Sequence, residues 1–127
     1  MHKVLLAEDH DDNRDMLLRR LSRAGYDVRG AIDGGDALQQ ALDWQPDLIL
    51  MDVSMPIMSG LEATVKIREK TGQSIRIIAL TAHAMNESRD ACMEAGCDAF
   101  ATKPVDLPNL LKEIEHQLGN TQQEQAA

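Results

Sequence analysis

The chain predicts a doubly wound α/β domain, a five-stranded parallel sheet with helices on both faces, on three observations. Short apolar runs alternate five times with segments of helical period. The central runs are apolar without interruption, as in strands buried on both faces. The length of 127 residues, with 43% apolar content, suits one domain with a sizeable core.

The first strand is the run Val4-Leu5-Leu6-Ala7, followed at once by Glu8, Asp9, His10, Asp11 and Asp12. From Asn13 the period becomes helical, with Leu17, Leu18, Leu21 and Ala24 on one face, Asp11 or Asp12 as the cap and Gly25 as the stop. Residues 26–32 form a second strand whose alternating Val28, Gly30 and Ile32 suit a place near a sheet edge. Asp33 caps a second helix with Ala37, Leu38, Ala41 and Leu42 as its buried stripe, and Pro46 ends the connection.

Residues 47–51 are the central strand, which runs straight into Asp52. Ser59 and Glu62 have capping-box spacing, Leu61, Val65 and Ile67 continue that helix, and Thr71-Gly72 closes it. Residues 75–80 form the fourth strand, ending in Thr81-Ala82-His83, and a helix over 84–95 stops at Gly96. A last strand over 98–101 ends at Thr102-Lys103-Pro104. Leu107, Leu110, Leu111, Ile114 and Leu118 then mark a helical stripe before Gly119. The domain is thus expected over 1–119, with 120–127 as a polar, frayed tail.

Composition excludes several functions. The formal charge of -8 repels a phosphate backbone, so direct nucleic-acid binding is not expected. Tyr26, Trp44 and Phe100 are too few aromatics for a base-stacking platform. No apolar run approaches a membrane span and Met1-His2-Lys3 lacks a signal-peptide core, so the chain reads as cytoplasmic, with Met1 as a true start. Cys92 and Cys97 lack zinc spacing and read as reduced, partly buried thiols. Met51, Met55, Met58, Met85 and Met93 read as packing residues, and His2, His10, His83 and His116 as solvated side chains.

The chemistry collects at the strand ends, where sheets of this kind hold their ligands. Glu8 and Asp9 follow the first strand, Asp52 the third, Thr81 the fourth and Lys103 the fifth. Crowded carboxylates need a shared proton, the Lys103 charge or a divalent cation, and an all-oxygen set favours Mg2+. An acid in such a site can also act as a nucleophile and form an acyl phosphate.

These residues carry a family resemblance. Glu8-Asp9, the run from Asp52 through Met55-Pro56 to Gly60, Thr81-Ala82, and Phe100 with Lys103-Pro104 occur in order, each at a strand end. On them the chain resembles a receiver domain of two-component response regulators over nearly its full length. The resemblance implies a flavodoxin-like (βα)5 fold with strand order 2-1-3-4-5. It implies that Asp52 accepts a phosphoryl group from a phosphohistidine on a sensor histidine kinase or histidine phosphotransfer protein.

Asp9, Asp52 and the backbone carbonyl of Ser54 would then hold Mg2+, with Mn2+ as a substitute, and Glu8 would act through water. Lys103 and Thr81 would bind the phosphoryl group, small Ala82 would leave an approach path, and Lys103-Pro104 would be cis. As Thr81 moves, Phe100 would turn inward and change the surface of the fourth helix, fifth strand and fifth helix, where a downstream protein docks. Phe100 stands where many relatives have tyrosine, so a contact needing that hydroxyl is not expected. Ser54 and His83, near the entry to Asp52, are expected to tune acyl-phosphate lifetime.

The expected protein is a switch that assists only its own phosphorylation and dephosphorylation, not an enzyme acting on other substrates. Asn13-Arg14 and the run from Leu80 to Met85 resemble receivers of hybrid histidine kinases, making such a receiver or a phosphorelay shuttle the alternative. An aspartyl-phosphate phosphatase of the haloacid-dehalogenase type needs a second Asp two residues after the nucleophile, where this chain has Ser54. A flavodoxin-like carrier needs a phosphate loop where this chain has acids.

Overall fold

The computed structural model describes residues 1–82 and 86–126. The elements are β1 (Lys3–Ala7), α1 (Asp11–Arg23), β2 (Asp27–Ala31), α2 (Gly34–Trp44), β3 (Leu48–Asp52), α3 (Gly60–Thr71), β4 (Arg76–Thr81), α4 (Asn86–Ala95), β5 (Ala99–Thr102) and α5 (Leu107–Ala126). All strand pairs are parallel and the order is β2-β1-β3-β4-β5, as the sequence predicts.

Alternation within each strand divides the core in two. Leu5, Ala7, Ile49, Met51, Ile77 and Ala79 meet Ala37, Ala41, Ala63, Ile67 and Cys92 of α2, α3 and α4. Val4, Leu6, Leu48, Leu50, Ile78 and Leu80 meet Leu17, Leu21, Leu110, Ile114 and Leu118 of α1 and α5. Both faces are covered, which is why the strands read as unbroken apolar runs.

Local chemistry sets the ends. Asp33 accepts from the Asp36 N–H at 2.8 Å, and the Ser59 hydroxyl accepts from the Glu62 N–H at 3.2 Å. Gly25 and Gly96, at φ 103° and 112°, take the left-handed turns after α1 and α4. Arg68 of α3 donates to the carbonyls of Gly72, Ile75 and Gly96 and to Asp98, gathering three chain turns at the lower end of the sheet.

Several expectations need correction. α1 starts at Asp11 with His10 as a cap whose side chain makes no capping hydrogen bond; Asp11 and Asp12 lie inside the first turn, where their charge complements the helix dipole. Ile32 lies past the end of β2 and is 55% exposed. α3 buries Gly60, Ala63, Thr64 and Ile67, while Val65 is exposed and Leu61 half-buried, because the buried stripe follows the i, i+3, i+4, i+7 spacing from Gly60 and neither residue lies on it. Ala24 and Met93 are exposed, and Met85 lies outside the described residues.

α5 does not stop at Gly119 but continues to Ala126. An interior glycine costs a helix only about 1 kcal/mol relative to alanine, and no proline follows to enforce a break. Cys92 and Cys97 are buried free thiols, as expected.

Candidate functional site

The strand order reverses between β1 and β3, so the crevice opens where these two strands end. Glu8 follows β1, its N–H bound to the Ala31 carbonyl at 3.0 Å, and its side chain is buried. Asp9 is half-buried beside it. Asp52 closes β3 and is only 2% exposed.

The chain then folds back over Asp52. A Cβ on Gly60 would stand 2.0 Å from the Asp52 carbonyl oxygen, so only glycine permits this approach. The Gly60 N–H donates to the Val53 carbonyl at 3.1 Å. Within this loop Ile57 has φ 69°, is 93% exposed and is spanned by a 2.7 Å bond from the Met58 N–H to the Pro56 carbonyl. A β-branched residue in that region stores on the order of 1 kcal/mol or more of strain.

Lys103 is the hub of the acids. Its Nζ lies 2.8 Å from Asp52 Oδ2 and 3.2 Å from Glu8 Oε1, while the Ser54 N–H donates to Asp52 Oδ1 at 3.1 Å. The Lys103-Pro104 peptide is cis, and the Lys103 N–H donates to the Thr81 carbonyl at 2.7 Å. Thr81 is buried at the end of β4, and Ala82 beside it is exposed.

The charges follow from that packing. Burial pushes the Glu8 carboxyl up to about 7, helped by its hydrogen bond to Asp52 and by that group's charge, with Lys103 opposing. Burial also acts against the Asp52 carboxylate, yet bonds from Glu8, Lys103 and the Ser54 N–H outweigh it and hold the group below its ordinary value. Burial likewise acts against the Lys103 ammonium, and Asp52 and Glu8 outweigh it, raising Lys103. Asp52 is therefore the ionised member near neutral pH, available as a nucleophile.

The donor set fits a hard cation. Among the described residues, Glu8 Oε2 and Asp9 Oδ1 are buried without a hydrogen-bond partner. Orphaned carboxylate oxygens side by side are costly unless a cation meets them. His10 joins this group: ligand atoms of Glu8, Asp9 and His10 all lie within 4.8 Å of one another, and His10 Nδ1 is 3.4 Å from Asp9 Oδ1. The sequence places His10 in solvent, and its side chain is 70% exposed, but strand-end placement beside two acids is the available signal for its nearness.

The structure thus brings Glu8, Asp9, Asp52, Ser54, Thr81 and Lys103 to one end of the sheet. Phe100 sits apart on β5, half-buried, in register with Ala79 and with the Arg89 guanidinium 5.8 Å from its ring centre. His83 lies outside the described residues. Arg14, which the sequence offers only as part of a resemblance, reaches the back of the acidic loop by donating to the Glu8 carbonyl at 2.8 Å.

A family model described as the response regulator receiver domain matches residues 4–115. Hybrid signal transduction histidine kinase I of Dictyostelium discoideum is 44% identical, the match covering 88% of this chain and 7% of that protein's length. The polar-differentiation response regulator DivK of Brucella anthropi is 33% identical over 92% of this chain and 96% of its own. The solved receiver domain of sensor histidine kinase PA1611 from Pseudomonas aeruginosa, with a magnesium ion coordinated in its active-site cleft, is 34% identical. Its TM-score is 0.85, with 93% of this chain and 98% of that one covered.

Proposed function

The chain belongs to the response regulator receiver domain family, and from that premise we propose that Asp52 is the residue phosphorylated in this phosphorylation-dependent switch. The observation that carries this assignment is the single ammonium of Lys103 between Glu8 and Asp52, with Glu8 Oε2 and Asp9 Oδ1 left without a hydrogen-bond partner among the described residues. That arrangement offsets one of the three carboxylate charges, and a divalent cation would offset the other two.

An Asp52 oxygen attacks the phosphorus of a phosphohistidine on a sensor kinase or phosphotransfer protein. The new O–P bond forms as the N–P bond breaks, and the imidazole leaves with the electron pair. Lys103 passes from Asp52 to the arriving phosphoryl oxygens, and the Thr81 hydroxyl approaches the same group. Asp9, Asp52 and the Ser54 carbonyl would hold Mg2+, with Mn2+ as a substitute and Glu8 acting through water; when bound, the ion offsets phosphoryl charge. Ser54, exposed beside Asp52, and His83 tune the lifetime of the acyl phosphate.

Phe100 then follows Thr81 inward and reshapes the α4-β5-α5 surface for a downstream protein. A groove of about 410 Å³ lined by Phe100, Val105, Asn109 and Glu113 lies on that side. The chain acts catalytically only on its own phosphoryl group, and a cytoplasmic setting belongs to this reading. Among the described residues no helix is long and apolar enough to cross a membrane. The 44% identity to a hybrid kinase favours a second reading of the setting, a receiver within a phosphorelay.

Incubation with Mg2+ and acetyl phosphate tests the assignment by intact mass. Wild type is expected to gain one phosphoryl group and Asp52→Asn none. Equal labelling of both would move the nucleophile elsewhere. Transfer from a histidine phosphotransfer protein faster than from a kinase would support the phosphorelay setting.

Glu8 gives a pH prediction. Its raised value favours the metal-free fold below its ordinary 4.5, an advantage lost as pH rises through about 7. Mg2+ binding must expel that proton, so the apparent Kd should rise by up to about tenfold per pH unit below neutrality, and Glu8→Gln should flatten the profile. A Kd unchanged between about pH 6 and about pH 8, measured calorimetrically, would remove Glu8 from the cation's surroundings.

A further inference from the structure

We infer that Arg14 is a positioning residue for the acidic loop, seated by the missing side chain of Gly30, and that it sets the affinity of this site for a divalent cation. The inference rests on the site reading above and adds two residues to it.

Arg14 lies on a stretch of α1 whose neighbours Asn13, Asp15 and Met16 are exposed, yet only 14% of its own side chain is. Its stem runs over β2. A Cβ at Gly30 would stand 3.0 Å from Arg14 Cδ, 3.3 Å from Arg14 Cγ and 3.0 Å from Leu18 Cδ1, tighter than ordinary contact. The Gly30 carbonyl is itself held by Gln40 Nε2 at 2.9 Å, so the strand cannot easily withdraw.

The guanidinium fork closes the loop from behind. Nη1 donates to the Glu8 carbonyl at 2.8 Å and Nη2 to Asp11 Oδ1 at 2.5 Å, bracketing residues 8–11. The Glu8 N–H is bound at 3.0 Å to the Ala31 carbonyl, so the backbone at Glu8 is fixed on both sides of its side chain. The Arg14 charge is met by a main-chain carbonyl and by Asp11. Arg14 thus leaves Glu8 Oε2 and Asp9 Oδ1 without a hydrogen-bond partner among the described residues, with only the His10 imidazole near them, at 4.0 Å and 3.4 Å. A lysine could supply the charge but not two donors in a fixed fork.

The test compares Arg14→Met, Arg14→Lys, Gly30→Ala and the double variant Gly30→Ala/Arg14→Met with wild type. Mg2+ binding to the unphosphorylated protein is measured by calorimetry, alongside acetyl-phosphate labelling and urea unfolding. Arg14→Met is expected to weaken Mg2+ on the order of tenfold, Arg14→Lys by less, and Gly30→Ala in the same direction. The double variant should bind no worse than Arg14→Met, because both changes act through one contact. Should stability alone fall, with Mg2+ affinity unchanged in folded Arg14→Met or Gly30→Ala, Arg14 would be a structural residue and the inference would be overturned. Additive losses would overturn the link to Gly30. If wild type itself neither bound Mg2+ nor was labelled, the site reading would fall, and this inference with it.

Discussion

Replacing Lys103 with methionine is expected to slow phosphorylation of Asp52 by about a hundredfold, the scale on which one preorganised charge at a reacting oxygen acts. Nζ is 2.8 Å from Asp52 and 3.2 Å from Glu8, so its loss removes both the partner of the nucleophile and a charge aimed at the incoming phosphoryl group. The sign on ionisation is also fixed. Lys103 lowers both Asp52 and Glu8, so both should rise in the variant, with one proton shared between them. The metal-free variant should be least stable at alkaline pH, where two buried carboxylates face each other, and recover toward acid. Time-resolved intact mass with acetyl phosphate gives the rate; a rate equal to wild type would take Lys103 out of the reaction.

Gly60→Ala should be among the most destabilising single-methyl changes in the chain, by about 3 kcal/mol. The added Cβ would stand 2.0 Å from the Asp52 carbonyl oxygen, 2.8 Å from its carbon and 2.9 Å from Met51 Cγ. Relief requires β3 or the start of α3 to move, and β3 is hydrogen-bonded on both edges. Gly119→Ala supplies the opposite case. Among the described residues nothing lies within 4 Å of where its methyl would stand, and α5 continues through it, so alanine there should stabilise by up to about 1 kcal/mol. Urea unfolding of both reads the contrast, and a Gly60→Ala midpoint equal to wild type would contradict the close approach.

The fold is legible in the sequence because buried parallel strands announce themselves without needing phase. Leu48-Ile49-Leu50-Met51 is apolar on both faces, and slipping the strand by one residue changes nothing in that reading. Helix faces are a matter of phase. Val65 suggests the buried side of α3, but Gly60, Ala63, Thr64 and Ile67 occupy it, a stripe whose phase Val65 does not share. The start of α1 is ambiguous in sequence because acids favour both the cap and the first turn. Gly119 reads as a stop although a lone glycine is only a modest cost.

For the site, strand-end placement alone brings Glu8, Asp9, Asp52, Thr81 and Lys103 together. Arg14 cannot be found that way. Its role depends on the absence of a side chain across the β1-β2 pair at Gly30, a relation between residues distant in sequence.

The strand order also grades stiffness across the sheet. β3, bearing Asp52, is flanked by β1 and β4 and is buried throughout, so it behaves as an anvil. β5, only four residues long, has a neighbour on one side alone and ends in an exposed threonine. Displacing it breaks one ladder instead of two, as at the other edge strand β2, and its ladder is the shorter of the two, so a cheap motion of the sheet lies at the strand that carries Phe100.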